Sequence, residues 1–252
     1  GSAVTCFRPG DLVTGVLSTC IADYNVAANA QMIKIPETSK PIDACLGEPM
    51  MCVANIVRAV EPKMGDRVAV IGCGFMGLMV IAGLKSRALG DIVAIDLDEK
   101  RLEMAVQYGA TKTINPKNVD VEDVSFELTH GRMYDCIVEI TGSLRGLQTA
   151  LSVAKISGRG KILAPSVYSK NETWTEEMAY NMMYRSPIIH VVHPYYTNEY
   201  MHTLEIGVEA YVKGVFPTEE LITHRIPFER VDEGFRLLDT NPPGYIKGII
   251  TF

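Results

Sequence analysis

No two of the six cysteines in this 252-residue chain are spaced as Cys-x-x-Cys, so neither a zinc ribbon nor a thioredoxin-like site is written here. Basic charge is also in short supply. Lys and Arg number 24 against 30 Asp and Glu, for a net charge of −6. Nucleic acid and anionic membrane surfaces both call for a basic footprint, so neither partner is expected. The longest apolar stretch, Met76 to Leu84, includes two glycines and falls far short of the roughly 20 residues that a membrane span needs. Gly1 to Arg8 do not read as a basic-then-apolar leader. There is no internal repeat and no low-complexity tract. Cys73 and Cys136 lie in apolar runs, where a free thiol acts as a small hydrophobe. With 47% hydrophobic and 21% charged residues the composition is that of an ordinary globular chain. The expectation is a soluble, cytoplasmic protein in a reducing compartment.

The first 48 residues read as short β segments: Leu12-Val13 after the Pro9-Gly10-Asp11 turn, Ala22 to Val26, and Ile33 to Pro36. Pro49 is placed to open a helix running to Val60. Then the pattern changes. Strands are expected at Arg67–Ile71, Asp91–Ile95, Thr113–Asn115, Tyr134–Glu139, Lys161–Ala164 and Ile188–Val192. Helices are expected from the glycine-rich turn through about Lys85, at Glu99–Tyr108 and at Leu144–Val153. Such alternation demands crossover connections, hence an α/β fold with a doubly wound parallel sheet. A last amphipathic helix, Val231–Leu238, and a closing strand, Ile246–Phe252, follow a loop marked by Gly214 and Pro217.

Gly72-Cys73-Gly74-Phe75-Met76-Gly77 is a G-x-G-x-x-G between an apolar strand and an apolar helix. Gly72 permits the tight turn, Gly74 lets a pyrophosphate approach the backbone, and Gly77 lets the helix pack on the strand. The helix start offers N–H groups and partial positive charge to phosphate. Asp96 stands 19 positions beyond Gly77, at the carboxyl end of the second strand. A carboxylate there accepts ribose hydroxyls and repels a 2′-phosphate, which favours NAD over NADP. A turn aspartate is the bland alternative. Arg101 either lies over the adenine ribose or snorkels on a solvated helix face.

The chain resembles the medium-chain dehydrogenase/reductase family, the zinc-type alcohol, polyol and threonine dehydrogenases. The resemblance is carried by Phe7-Arg8-Pro9-Gly10-Asp11-Leu12-Val13, by Gly65 to Gly74, by Gly109-Ala110-Thr111 with Asn115-Pro116, and by Leu221-Ile222-Thr223-His224-Arg225 with Glu233-Gly234-Phe235. It implies a Rossmann domain over residues 50–190. It also implies a partial GroES-like β domain over residues 1–49, to which residues 191–252 return. It implies NAD-dependent hydride transfer with a secondary alcohol or polyol, and assembly as a homodimer or tetramer. Thr141 falls in the turn near the nicotinamide ribose, and Lys247 where the family carries a basic contact to the pyrophosphate; an ordinary surface lysine is the alternative. Ala164-Pro165-Ser166 stands where the family usually has a glycine.

The family's Gly-His-Glu zinc motif precedes the first of these segments, and no Gly-His-Glu occurs in the chain. Room for a four-cysteine structural lobe is lacking between Val13 and Cys20. Glu48, in Gly47-Glu48-Pro49, matches a glutamate at or near the family's metal site. One carboxylate cannot make a site that needs about three protein ligands. Zinc therefore belongs to the intact family enzyme and is not expected on this chain alone. The competing reading is a nucleotide-binding module without turnover. His190, His193 and His224 are read as structural, the first two on opposite faces of one strand.

Overall fold

A computed structural model of the chain describes residues 4–17, 21–156, 159–194 and 199–252; Cys20 lies outside them. The chain divides into two compact units, one formed by Gly1–Ala54 with Pro194–Phe252 and the other by Asn55–His193.

In the first unit, β1 (Val13–Gly15) pairs antiparallel with β2 (Met32–Lys34), Val13 opposite Lys34. Residues 22–26 are not a strand. Tyr24 and Val26 are 91% and 97% exposed, and an alternating pattern with neither a pairing neighbour nor a covered face has nothing to hold it extended. Helix α1 (Gly47–Val60) starts where the Thr14 hydroxyl, bonded to the Cys45 carbonyl at 3.0 Å, accepts the Gly47 N–H at 3.1 Å. Its predicted apolar face is buried.

The second unit is the parallel sheet. In chain order it runs β3 (Arg67–Ile71), α2 (Phe75–Leu84), β4 (Asp91–Ile95), α3 (Glu99–Tyr108), β5 (Lys112–Ile114), α4 (Val121–Leu128), β6 (Cys136–Glu139), α5 (Leu144–Val153), β7 (Lys161–Leu163), α6 (Glu176–Arg185) and β8 (Ile188–His190). The strand order is β5-β4-β3-β6-β7-β8, all parallel. This is the doubly wound Rossmann order, and the order reverses between β3 and β6. The central strands are apolar at nearly every position because helices cover both faces; Val68 to Val70 and Ile137 to Val138 are fully buried. Side chains with hydrogen-bonding oxygens fix the helix starts. Asp98, Asp120, Ser143 and Thr175 each accept a backbone N–H of the helix that follows. Strand β8 ends at His190, so the alternation that was to set His193 on the opposite face does not reach it.

The chain then completes the first unit with α7 (Tyr200–Val212), α8 (Thr218–Leu221), β9 (His224–Pro227), α9 (Val231–Thr240) and β10 (Gly248–Thr251). Strands β9 and β10 pair in parallel, Gly248 opposite His224, with α9 as their crossover. No helix among the described residues is long and apolar enough to cross a membrane.

Candidate cofactor site

The site is built at the reversal of strand order. Strand β3 leaves the sheet through Gly72, whose φ of +100° is a left-handed backbone that L side chains resist. A Cβ there would meet Thr141 Cγ2 at 3.0 Å. Its N–H donates to the Ile95 carbonyl at 2.9 Å, so β4 fixes the turn. Gly77 is needed for contact: a Cβ on it would fall on the Gly72 carbonyl oxygen. Gly74 is different. It caps the start of α2, and nothing lies within 4 Å of the position its Cβ would take. The three glycines thus differ in setting: a tight turn at Gly72, open space at Gly74 and close packing at Gly77.

The head of α2 is thus open at Gly74, and the backbone of Gly74, Phe75 and Met76 stands at the positive end of a helix that has no side-chain cap. Phe75 is itself buried.

Asp96 follows β4 directly. Its Oδ2 accepts the Cys73 N–H at 2.6 Å and its Oδ1 accepts the Asp98 N–H at 2.9 Å. A carboxylate offers about four lone-pair sites, so acceptor capacity remains for a ribose. The bond to Cys73 was not legible in the spacing. Arg101 stands in the first turn of α3, where Asp98 accepts its backbone N–H at 3.4 Å. Its charge reaches the glycine turn. Burial pushes the Cys73 thiol up, Asp96 adds to this, and Arg101 opposes both.

Across the reversal, β6 ends at Glu139, in register with Ile71 of β3. Glu139 is fully buried. Its Oε1 accepts the Thr141 N–H at 2.9 Å and the Thr141 hydroxyl at 2.5 Å; its Oε2 accepts the Tyr168 hydroxyl at 2.5 Å. The Thr141 oxygen in turn accepts the Ser143 N–H at 3.1 Å. Neither Glu139 nor Tyr168 was singled out from sequence. The signal was there: an acidic residue closing the apolar strand Cys136–Glu139.

Lys247 and Glu48 both lie in the first unit. Lys247 is half-buried. Burial pushes its ammonium pKa down, and the charge of Glu48 pushes it back up. Glu48 is exposed in the first turn of α1 and accepts the Cys52 thiol at 3.2 Å. Among the described residues, no group of three or more His, Cys, Asp or Glu side chains could hold a metal ion. The described donor set therefore does not fit a zinc centre.

A family model described as zinc-binding dehydrogenase matches residues 76–204, half of the chain. The chain is 30% identical to an L-threonine 3-dehydrogenase of Bacillus licheniformis over 232 residues, which is 90% of this chain and 64% of that protein. The chain thus spans just under two thirds of that relative. Among solved structures, the 2R,3R-butanediol dehydrogenase of Bacillus subtilis shares 26% identity at a TM-score of 0.70, covering 88% of this chain and 61% of that one. An Escherichia coli oxidoreductase/dehydrogenase of unknown specificity shares the fold at a TM-score of 0.83, with 24% identity over 100% of this chain and 78% of its own. The match begins inside α2, takes in Asp96 and the strands β4 to β8, and ends in α7, so it covers half of the chain, and the chain accordingly belongs to the zinc-binding dehydrogenase family.

Proposed function

We infer that the protein is an NAD-dependent oxidoreductase that transfers hydride between a secondary alcohol or polyol and the cofactor. The observation that carries this is the space left open at Gly74 on the head of α2, bordered by the Asp96 carboxylate. Gly74, Phe75 and Met76 would hold the pyrophosphate, and Asp96 with Arg101 the adenine ribose. Thr141 would stand beside the nicotinamide ribose, on the other side of the strand reversal. When bound, NAD supplies the hydride acceptor. The chain's own residues bind and orient it. The carboxylate of Asp96 disfavours the extra phosphate of NADP by like-charge repulsion.

The substrate class rests on the relatives. Threonine is oxidised at a secondary hydroxyl, as butanediol is. Residues 50–190 are read as the nucleotide domain, and residues 1–49 with 191–252 as part of a GroES-like catalytic domain. Lys247 is carried over as a phosphate contact from the sequence resemblance. Location in the cytoplasm fits the free, buried cysteines. Fluorescence titration with NADH and NADPH tests the cofactor reading. NADH should bind more tightly, and equal or tighter NADPH binding would sink it.

A second reading, an NAD-binding module without turnover, is favoured by the donor set. No three potential metal ligands converge among the described residues, so no zinc step is assigned to this chain. Elemental analysis beside an assay with a panel of secondary alcohols separates the two readings. Cofactor binding with neither metal nor turnover would favour the module, and one tightly held zinc per chain with turnover would exclude it.

A further inference from the structure

The loop that follows β7, residues 164–175, is fastened to the turn that follows β6 at two points by two carboxylates facing opposite ways. Glu139, at the end of β6, accepts the hydroxyl of Tyr168 from the loop at 2.5 Å. Glu172, on the loop, accepts the N–H of Leu144 at the start of α5. Between these points the two segments touch. A Cβ on Gly142 would lie 3.2 Å from the Val167 carbonyl oxygen and 3.7 Å from Ser166 Cβ.

Glu139 is the unusual member. It is a fully buried carboxylate whose three hydrogen bonds come from neutral donors, Thr141 N–H, Thr141 O–H and Tyr168 O–H. Leaving such a group short of donors is costly, so the arrangement is kept whole or not at all. Burial and the neighbouring carboxylate both push the Tyr168 hydroxyl up, which keeps it a donor. The Thr141 methyl meanwhile lies against the position of a Cβ on Gly72, so the turn it fixes is the turn that borders the glycine loop.

In a doubly wound sheet the second mononucleotide half of a dinucleotide sits over the strands beyond the reversal, here β6 to β8. We propose that Tyr168 is a positioning residue for the nicotinamide half of the cofactor: by donating to Glu139 it holds Thr141 and the 164–175 loop in the one arrangement that receives that half. The adenine and diphosphate half is held by Gly74 and Asp96 on the other side of the reversal and does not depend on this clasp. The inference rests on the NAD reading given above.

The experiment uses the full chain and the variant Tyr168→Phe, which removes one oxygen atom and keeps the ring. NADH and ADP are titrated calorimetrically into both proteins. Loss of a hydrogen bond to a charged group should weaken NADH by about tenfold and leave ADP within about twofold. Thr141→Val, which removes the hydroxyl that Glu139 holds while keeping its shape, should give the same split. NADH affinity unchanged in Tyr168→Phe would overturn the proposal. So would a parallel loss of NADH and ADP, since a general loosening of the fold weakens both halves alike. A wild-type chain that binds neither ligand would remove the cofactor reading itself, and the proposal with it; a wild-type chain that binds both, with no split in the variants, removes the proposal alone.

Discussion

The carboxylate of Asp96 accepts the backbone N–H of Cys73 at 2.6 Å, which ties the end of β4 to the middle of the glycine turn that leaves β3. The residue expected to select the cofactor is therefore also a brace for the glycine turn. Asp96→Asn should act twice. The amide keeps one acceptor oxygen but loses the charge, so NADH should weaken by roughly tenfold as charge-assisted bonds are lost. The preference over NADPH should shrink, because the repulsion of a 2′-phosphate goes with the charge. Paired titrations of both cofactors with wild type and variant check this. An unchanged NADH-to-NADPH ratio would show that Asp96 is a brace only.

Gly74 and Gly77 stand three residues apart and should respond to alanine in opposite ways. A Cβ at Gly77 falls on the Gly72 carbonyl oxygen, so backbone must move. Gly77→Ala should cost at least ~1–3 kcal/mol, the usual penalty for overpacking. At Gly74 the added methyl meets nothing within 4 Å. Gly74→Ala should fold as the parent does yet bind NADH more weakly, because the methyl occupies the approach to the backbone. Urea unfolding and NADH titration of the two variants separate the cases. A Gly74→Ala protein with undiminished affinity would mean that the phosphates lie elsewhere.

What sequence could reveal follows how local each signal is. The spans of β3, β4, α3 and α5 were readable because each is an apolar or amphipathic run, with Gly109 past the end of α3; the caps at Asp98 and Ser143 were not read. Helices α4, α6 and α7 were not singled out. In α7 the break in the pattern is Gly207, a poor helix former. The structure shows why it is there: a Cβ would lie 2.7 Å from the backbone of Met50, so glycine permits the close approach to α1. The same limit applies in the site. The backbone settings of Gly72, Gly74 and Gly77 lie within six residues and could be read. The Asp96 bond to Cys73 spans 23 positions and the Tyr168 bond to Glu139 spans 29, and pairings at that range are set by the sheet.

Among the described residues, strand β8 pairs with β7 alone and closes one side of the sheet. Around it Ile188, Ile189 and Val191 are 49%, 37% and 70% exposed. An apolar edge of this kind invites pairing with another chain. The expected outcome is a dimer at micromolar concentration, reduced to monomer by Ile189→Lys, which puts charge on the edge. Sedimentation equilibrium of both proteins checks it. A wild-type chain that runs only as a 27.7 kDa monomer would count against the expectation.

Asp135 immediately precedes β6 and is mostly buried, with 18% of its side chain exposed. Burial alone would raise its pKa. The Arg67 N–H at 2.9 Å and the Lys155 ammonium at 2.5 Å outweigh burial and hold the carboxyl below the usual carboxylate range. A carboxyl whose pKa is lower folded than unfolded stabilises the fold above its unfolded pKa of about 3.9, and that contribution fades as pH falls through the folded value. Asp135→Asn should therefore cost about 1–3 kcal/mol at pH 7, where the charge-assisted bonds are whole. The gap between wild type and variant should narrow as the pH drops below about 4, because wild type then loses what the variant never had. Urea unfolding of both proteins across this range provides the measurement. A gap that stays constant into acid would mean that the Asp135 carboxylate does not contribute through its charge, and that the cost at neutral pH comes from shape alone.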